Sequence, residues 1–440
     1  VTELLGNGFE VNNFSWNRPT SSVGFIGHAY KSLLVDMTVN TSVYSGQTNT
    51  SYAINAEDYV GTLVGSIFDG RIENSHTILA GTVLGNTIVG GAVGMITNSP
   101  VITASAVRAA GVVAADAQVV SVGDYVGGFA GLVTTGAMQG VDSDLSIQGS
   151  AAYVGGLVGK ANGTIADVSA IGDVVGANDY VGGLIGYQAT GSITDVTAIG
   201  DVTGSSWVGG LLGYSNSHVT NTQASGDVTG RLRYVGGLIG KQVSGTVSDS
   251  SYLTGTVSGQ GYVGGLIGHV DNKSAVVLGS YSTGGVSASE DFVGGLIGFM
   301  EGKLDDSVTT QPTGRGSLHS YATGDVTGRY DVGGLIGRLA SYGVVANSYA
   351  SGDVTAAANY GGVLGYLTPG ATVTNTHYDM GSVLLSAFTT ASPSALVDVT
   401  GTVTLGGLYS GQYTTWFNGG ALDGLGNPEI YFGAADGTGV

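Results

Sequence analysis

Several side chains recur at spacings that bear on chemistry. Asp173, Asp201, Asp227, Asp325 and Asp353 each precede a Val at one fixed place in a repeated segment. Brought into a column, they offer the carboxylate oxygens that a hard cation takes, and calcium is the candidate ion. Two features weigh against it: Gly255-Thr256 and Gly285-Val286 break the series, and no nonapeptide calcium repeat is present. The competing reading is a corner cap, in which each carboxylate accepts from a nearby backbone N–H. Thr203, Thr229, Thr327 and Thr355, with Ser258 and Ser287, make a hydroxyl column. A flat threonine array orders water in ice-binding solenoids, but one mixed column favours a solvated face. Glu301, Lys303, Asp305 and Asp306 are the one local carboxylate cluster with a lysine. That is the equipment a polysaccharide lyase or hydrolase needs. The histidines, His28, His76, His218, His269, His319 and His377, are scattered, and no His-Glu-x-x-His occurs. No Gly-x-Ser-x-Gly stands in a strand-turn-helix context. The glycine-rich stretches lack a following Lys-Ser/Thr, so they are not phosphate loops.

Aromatic residues recur as well. Tyr125, Tyr153, Tyr180, Trp207, Tyr234, Tyr262 and Phe292 occupy one repeat position, and Tyr252, Tyr281, Tyr321 and Tyr349 a second. Stacked one repeat apart, such rings stabilise adjacent strands. The same ladders are the candidate adhesive stripe.

The elements that position these columns follow from one octet, Tyr180-Val181-Gly182-Gly183-Leu184-Ile185-Gly186-Tyr187. Close copies run from Tyr153, Trp207, Tyr234, Tyr262 and Phe292, with weaker ones from Tyr59, Ile88, Tyr125, Asp331 and Asn359 and around Val23. From Val126 through Val154, Val181, Val208 and Val235 to Val263, the octet valine returns every 27 or 28 residues. A fixed period in this range marks a repeat architecture. A second half, Val196 to Gly204, alternates small residues (Val196, Ala198, Gly200, Val202) with Thr197, Ile199, Asp201 and Thr203. Period two reads as a strand with a small inward face, and Ala189 to Ser192 reads as the turn before it. Ala104 to Asp116 has helix-like composition, but its flanking repeats favour strand. The expected fold is all-β: a right-handed parallel β-helix, or β-solenoid, of about a dozen coils of 27 to 30 residues with end caps.

The Val-Gly-Gly-Leu-Ile-Gly octet at this period resembles the GLUG motif. That motif occurs in large exported bacterial adhesins of the filamentous-haemagglutinin type and in some cell-surface peptidases. The resemblance covers roughly residues 20 to 370 and implies an extracellular, cell-surface setting. Val23-Gly24-Phe25-Ile26-Gly27 departs from it by lacking the second Gly.

Composition agrees with a solenoid. Gly is 80 of 440 residues, Pro only 6, and Cys is absent, so stability rests on packing and backbone hydrogen bonds and not on disulfides. A net charge of −19 repels phosphates, which excludes nucleic acid and anionic membranes as partners. No apolar run is long enough for a transmembrane helix. Val1 follows no signal-like segment and reads as the start of an excised or mature piece.

The chain divides into residues 1–20, an N-terminal cap or assembly segment; 21–370, the GLUG-type solenoid; and 371–440, a C-terminal cap and linker. The function expected is non-enzymatic: an adhesin or extracellular fibre component, with end-to-end self-assembly as a variant. Its partner would be a host, surface or cell-envelope protein or glycan, or a further copy of itself. No organic cofactor is expected, and calcium is the one candidate ion. The alternatives are a carbohydrate-active β-helix enzyme and an ice-binding solenoid.

Overall fold

The computed structural model describes residues 3–8, 10–17, 20–42, 52–109, 118–150, 152–305, 320–379, 388–389 and 396–402. Among them every regular element is a β-strand. Two compact units are present. The first comprises Val1–His218 and Thr222–Arg231, the second Val219–Asn221 and Leu232–Val440. Each unit is a β-solenoid whose coils contribute to three parallel sheets.

One coil of the first unit shows the design. Val154–Gly155 lies on one sheet, Val158–Asn162 on the second, Thr164–Ile171 on the third, and Val174–Gly176 returns to the first. The next coil repeats this with Val181–Gly182, Ile185–Thr190, Ser192–Ile199 and Val202–Gly204. Pairing is parallel and aligns like with like: Val154 with Val181, Val168 with Val196, Ala170 with Ala198, Val174 with Val202. The octet therefore wraps around a corner, and does not lie along one strand. Its Val sits on the first sheet and its Ile on the second.

The octet's composition follows from that corner. Val181, Leu184 and Ile185 are fully buried, as are Val263, Leu266 and Ile267 in the second unit. Each such side chain contributes about 1.5–3 kcal/mol on burial, repeated coil after coil. The second glycine of the pair cannot carry a side chain. A Cβ on Gly183 would stand 2.0 Å from the Gly210 carbonyl oxygen of the next coil and 3.3 Å from the Ala198 Cβ across the core. Hence the small inward face, on which Val196, Ala198 and Val202 are buried while Ile199 and Asp201 are exposed.

Corners and bends use left-handed backbone. Asp167, Asp195, Asp249 and Asn347 have φ near +50°, a region that short polar side chains tolerate best. Less expectedly, Tyr153, Tyr180, Trp207, Tyr234, Tyr262 and Phe292 adopt it too, with φ between 51° and 66°. A bulky residue there costs roughly 1–2 kcal/mol, so surrounding contacts must over-determine the conformation.

Residues 3–17 enter the same scheme: Glu3–Leu5 lies parallel to Leu33–Val35, Glu10–Phe14 to Thr38–Thr41, and Trp16–Asn17 to Ile54–Asn55. At the other end, Thr372–Asp379 continues the third sheet against Val344–Ala350. The Ala- and Val-rich stretch forms a strand over Ala106–Ala109, and its remainder from 110 lies outside the described residues. So do 306–319, the greater part of the long insertion, and 403–440, on which most of the C-terminal cap and linker expectation falls.

Candidate functional site: a two-column seam

The residue before each octet valine, aromatic and left-handed from Tyr153 to Phe292, and the eighth residue of the same octet stand on either side of one corner. Their columns meet there as a seam. In the first unit, Tyr125, Tyr153, Tyr180 and Trp207 stack with centroid separations of 5.1, 5.0 and 4.8 Å, their planes within 10° of parallel. The parallel register imposes this, because it places equivalent residues one strand spacing apart. The second column is Lys160, Tyr187 and Tyr214, aligned by the pairing of Lys160 with Tyr187 and Tyr187 with Tyr214. Tyr187 and Tyr214 stack at 4.4 Å. Tyr187 also presents its plane edge-to-face to Tyr153 and Tyr180, at 5.7 and 5.4 Å. The Lys160 ammonium lies 5.3 Å from the Tyr153 ring and 5.2 Å from the Tyr187 ring. A cation there is held by the ring quadrupoles.

These contacts are what fix the strained backbone. Tyr153 and Tyr180 each have a stacked ring on both faces, so they show solvent mainly their edges. Burial is the chief reason that the phenols of Tyr153 and Tyr180 are held above their ordinary pKa, with neighbouring tyrosines and aspartates adding to it. A neutral, half-buried phenol is a hydrogen-bond donor and acceptor over a wide pH range.

In the second unit the same two columns carry different chemistry. Tyr234, Tyr262 and Phe292 are tilted by 41° and 56° from one ring to the next. The other column reads Lys241, His269, Phe299, Arg338 and Tyr366. His269 wedges between rings, 5.3 Å from Tyr262 and 5.1 Å from Phe299. Burial depresses its pKa to about 4; nearby Asp271 opposes that shift and Lys241 adds to it. Further along, the first column turns polar. Asp331 is 5% exposed, accepts from Asn359 Nδ2 at 2.8 Å and lies 3.5 Å from Arg338 Nη1. Burial raises its pKa; the Asn359 hydrogen bond and Arg338 offset part of the rise.

The aspartate column forms in both units. The Asp201 backbone N–H donates to Asp173 Oδ1 at 2.9 Å, and the Asp227 N–H donates to Asp201 Oδ1 at 2.8 Å. In the second unit the Asp353 N–H donates to Asp325 Oδ1 at 2.9 Å. All five carboxylates are exposed. Asp173, Asp201 and Asp325 thus each commit one oxygen to the amide of the next coil's aspartate, a capping bond made between coils. The hydroxyl column also aligns, with Thr203 opposite Thr229, and Ser258, Ser287, Thr327 and Thr355 in succession.

The second tyrosine ladder forms only in part. Tyr281 and Tyr321 stack at 4.8 Å with planes 6° apart, and Tyr349 follows in register. Tyr252 does not join them. It lies opposite Ser282 and is fully buried, because the pairing has slipped by one residue, with Ser251 opposite Tyr281. A one-residue slip turns a strand's side chains over. Tyr252 fills the core beside two glycines: a Cβ on Gly237 or Gly284 would meet its ring at 2.5 or 2.3 Å. Tyr349 is likewise 1% exposed, so neither residue offers a surface. Of the candidate lyase cluster, Asp305 ends the strand Lys303–Asp305 and Asp306 lies outside the described residues. Glu301 is placed instead near His269 and Asp271.

Residues 150–175, 177–203 and 328–355 match the family described as the GLUG motif. The chain carries GLUG repeats. The matched segments take in Tyr153, Lys160, Tyr180 and Tyr187 of the first unit's seam, and Asp331 and Arg338 of the second's. Over 239 residues the chain is 35% identical to Halomucin of Haloquadratum walsbyi. That alignment covers 50% of this chain and 2% of the relative, so the chain spans a small fraction of the protein it matches. No solved structure matches. The eighth residue of the GLUG octet is where the sequence carries an unread signal. Lys160, Tyr187, Tyr214, Lys241, His269, Phe299 and Arg338 all stand there, and the turn within the octet places them against the aromatic column.

Proposed function

We propose that this chain is a segment of an exported cell-surface repeat protein, in which GLUG coils form a contact-bearing scaffold of the adhesin or extracellular-fibre kind. The observation that carries this reading is the division of labour within each coil. Glycine and aliphatic residues fix an invariant interior, while the seam residues vary from coil to coil on a half-exposed corner. A scaffold needs the first and a recognition surface needs the second. The acidic surface and the absence of cysteine suit a protein that stays soluble outside the cell without disulfides. A relative named Halomucin, far longer than this chain, supports a role as part of a large repeat assembly.

The partner would meet the seam through ring edges, phenol hydroxyls and the Lys and Arg heads between them, which suits a glycan or an acidic protein surface. The test is binding of the purified chain to envelope-derived glycans and to intact cells. Lys160→Ala with Tyr187→Ala should lower retention at least several-fold while circular dichroism stays unchanged. Retention unaffected by that pair would remove the seam as the adhesive surface. End-to-end assembly is checked by light scattering across a concentration series. A monodisperse species at the highest concentration would exclude it.

A further inference from the structure

The eighth octet position of one second-unit coil is occupied by His269. Its strand, Ile267–Val270, ends one residue later, and Asp271 follows. In the next coil, His269 pairs with Phe299 and Val270 with Met300, which brings Glu301 beside Asp271. The Glu301 N–H donates to the Val270 carbonyl at 2.9 Å, and the Asp271 N–H to the Gln242 carbonyl at 2.9 Å. Both backbone attachments fix where the carboxylates start. The result is one imidazole and two carboxylates whose ligand atoms all lie within 4.8 Å of one another.

Two further observations separate this cluster from an ordinary group of surface acids. First, His269 is 7% exposed, yet neither ring nitrogen has a hydrogen-bond partner among the described residues. Leaving a buried polar nitrogen unmatched costs roughly 1–3 kcal/mol, and the geometry persists only if something offsets it. One of these nitrogens, Nε2, lies 4.0 Å from Asp271 Oδ1. Second, the Lys241 ammonium engages the opposite oxygen, Asp271 Oδ2, at 2.6 Å. It therefore holds the carboxylate in place and leaves Oδ1 toward the imidazole. Supporting groups of this kind orient metal ligands. Stacked one coil apart, Asp271 and Glu301 also repel each other, and a divalent ion between them would remove that repulsion.

We propose that His269, Asp271 and Glu301 form a binding site for a divalent transition-metal ion of the zinc class, tying two successive coils of the second unit together. The donor set selects the class. Imidazole with carboxylates suits zinc, whereas calcium and magnesium take oxygen alone. Among the described residues of the first unit, where Tyr187 and Tyr214 stand in the column, no such set occurs.

The experiment uses the full chain without an affinity tag, stripped with chelator and titrated with zinc chloride by calorimetry. One equivalent should bind and the melting temperature should rise. His269→Phe, which copies Phe299 of the next coil, and Glu301→Gln should each weaken binding at least tenfold with unchanged circular dichroism. Cobalt chloride gives a second readout, a visible absorption band present in the parent and lost in His269→Phe. Absence of stoichiometric zinc binding would overturn the proposal. So would equal affinity in the parent and both variants, which marks adventitious carboxylate binding.

Discussion

The seams of the two units are built on the same backbone and solve the same steric problem in different ways. In the first, Tyr153, Tyr180 and Trp207 stack nearly parallel, with Tyr187 and Tyr214 edge-on beside them. In the second, the rings tilt, and Lys241, His269 and Arg338 alternate with them. Yet Val181, Leu184 and Ile185 are as fully buried as Val263, Leu266 and Ile267, and a Cβ on the second glycine of the pair, Gly183 or Gly265, would stand 2.0 or 2.1 Å from a next-coil carbonyl. The interior sets the coil, and the seam is read out from it. Regular stacking does not follow from rings in successive coils alone, since Tyr234, Tyr262 and Phe292 tilt. It is not a requirement for winding the coil.

That contrast can be tested from its strongest point to its weakest. The largest effect belongs to Tyr252, which the register slip has turned from surface to core. Tyr252→Ala should cost about 4 kcal/mol, in the range of other buried aromatic truncations. Urea denaturation followed by circular dichroism measures it, and a cost like that of a surface tyrosine would deny the slip. Next is the shared interior. Gly183→Ala and Gly265→Ala each aim a Cβ at a backbone oxygen, 2.0 and 2.1 Å away. Both should destabilise by about 3 kcal/mol, at the upper end of overpacking costs. Unequal costs would show that the two units do not share one coil.

A smaller effect separates stacking from backbone strain. Tyr180→Ala loses the ring contacts and keeps a side chain at φ 59°, whereas Tyr180→Gly loses the same contacts and relieves the strain. The glycine variant should be the more stable by about 1 kcal/mol. The smallest effect is electrostatic. Tyr153 and Tyr180 have folded-state pKa values raised above 10.0, chiefly by burial. Below that value both states are protonated and the seam's contribution is intact. As pH rises past about 10, the unfolded chain releases protons first, so stability falls until the folded phenols also ionise. Tyr153→Phe with Tyr180→Phe should flatten that alkaline slope, read from the melting temperature between pH 9 and 11.

The coil was legible because its causes are local and repeated. The 27- to 28-residue return of Val-Gly-Gly-Leu-Ile-Gly, and the small face of Val196, Ala198 and Val202, state the winding and its tight core directly. The aromatic column at Tyr153, Tyr180 and Trp207 was equally visible. Three sheets were not, because the corner inside the octet depends on a left-handed tyrosine, which no propensity favours. The bend at Asp167, Asp195 and Asp249 has a readable signal, an Asx residue at a constant offset before the second half of the repeat. Tyr252 misleads on paper, since counting from Val257 and Val286 pairs it with Tyr281. The structure pairs Ser251 there instead. The His269, Asp271 and Glu301 cluster is unreadable by motif, because its members come from two coils and meet only through register.

The aspartate bonds of the second corner also bear on growth of the chain. Asp201 makes both bonds: its N–H donates to Asp173 Oδ1 and its own Oδ1 accepts from the Asp227 N–H. The coils that carry Thr256 and Val286 lack the carboxylate, whereas a coil such as that of Asp201 is at once a lock for one neighbour and a key for the other. Such a tile places no limit on the number laid in a row. Duplicating or excising a repeat between aspartate-bearing coils would keep this bond, so the length of such an array is open to change by simple recombination while its cross-section stays constant.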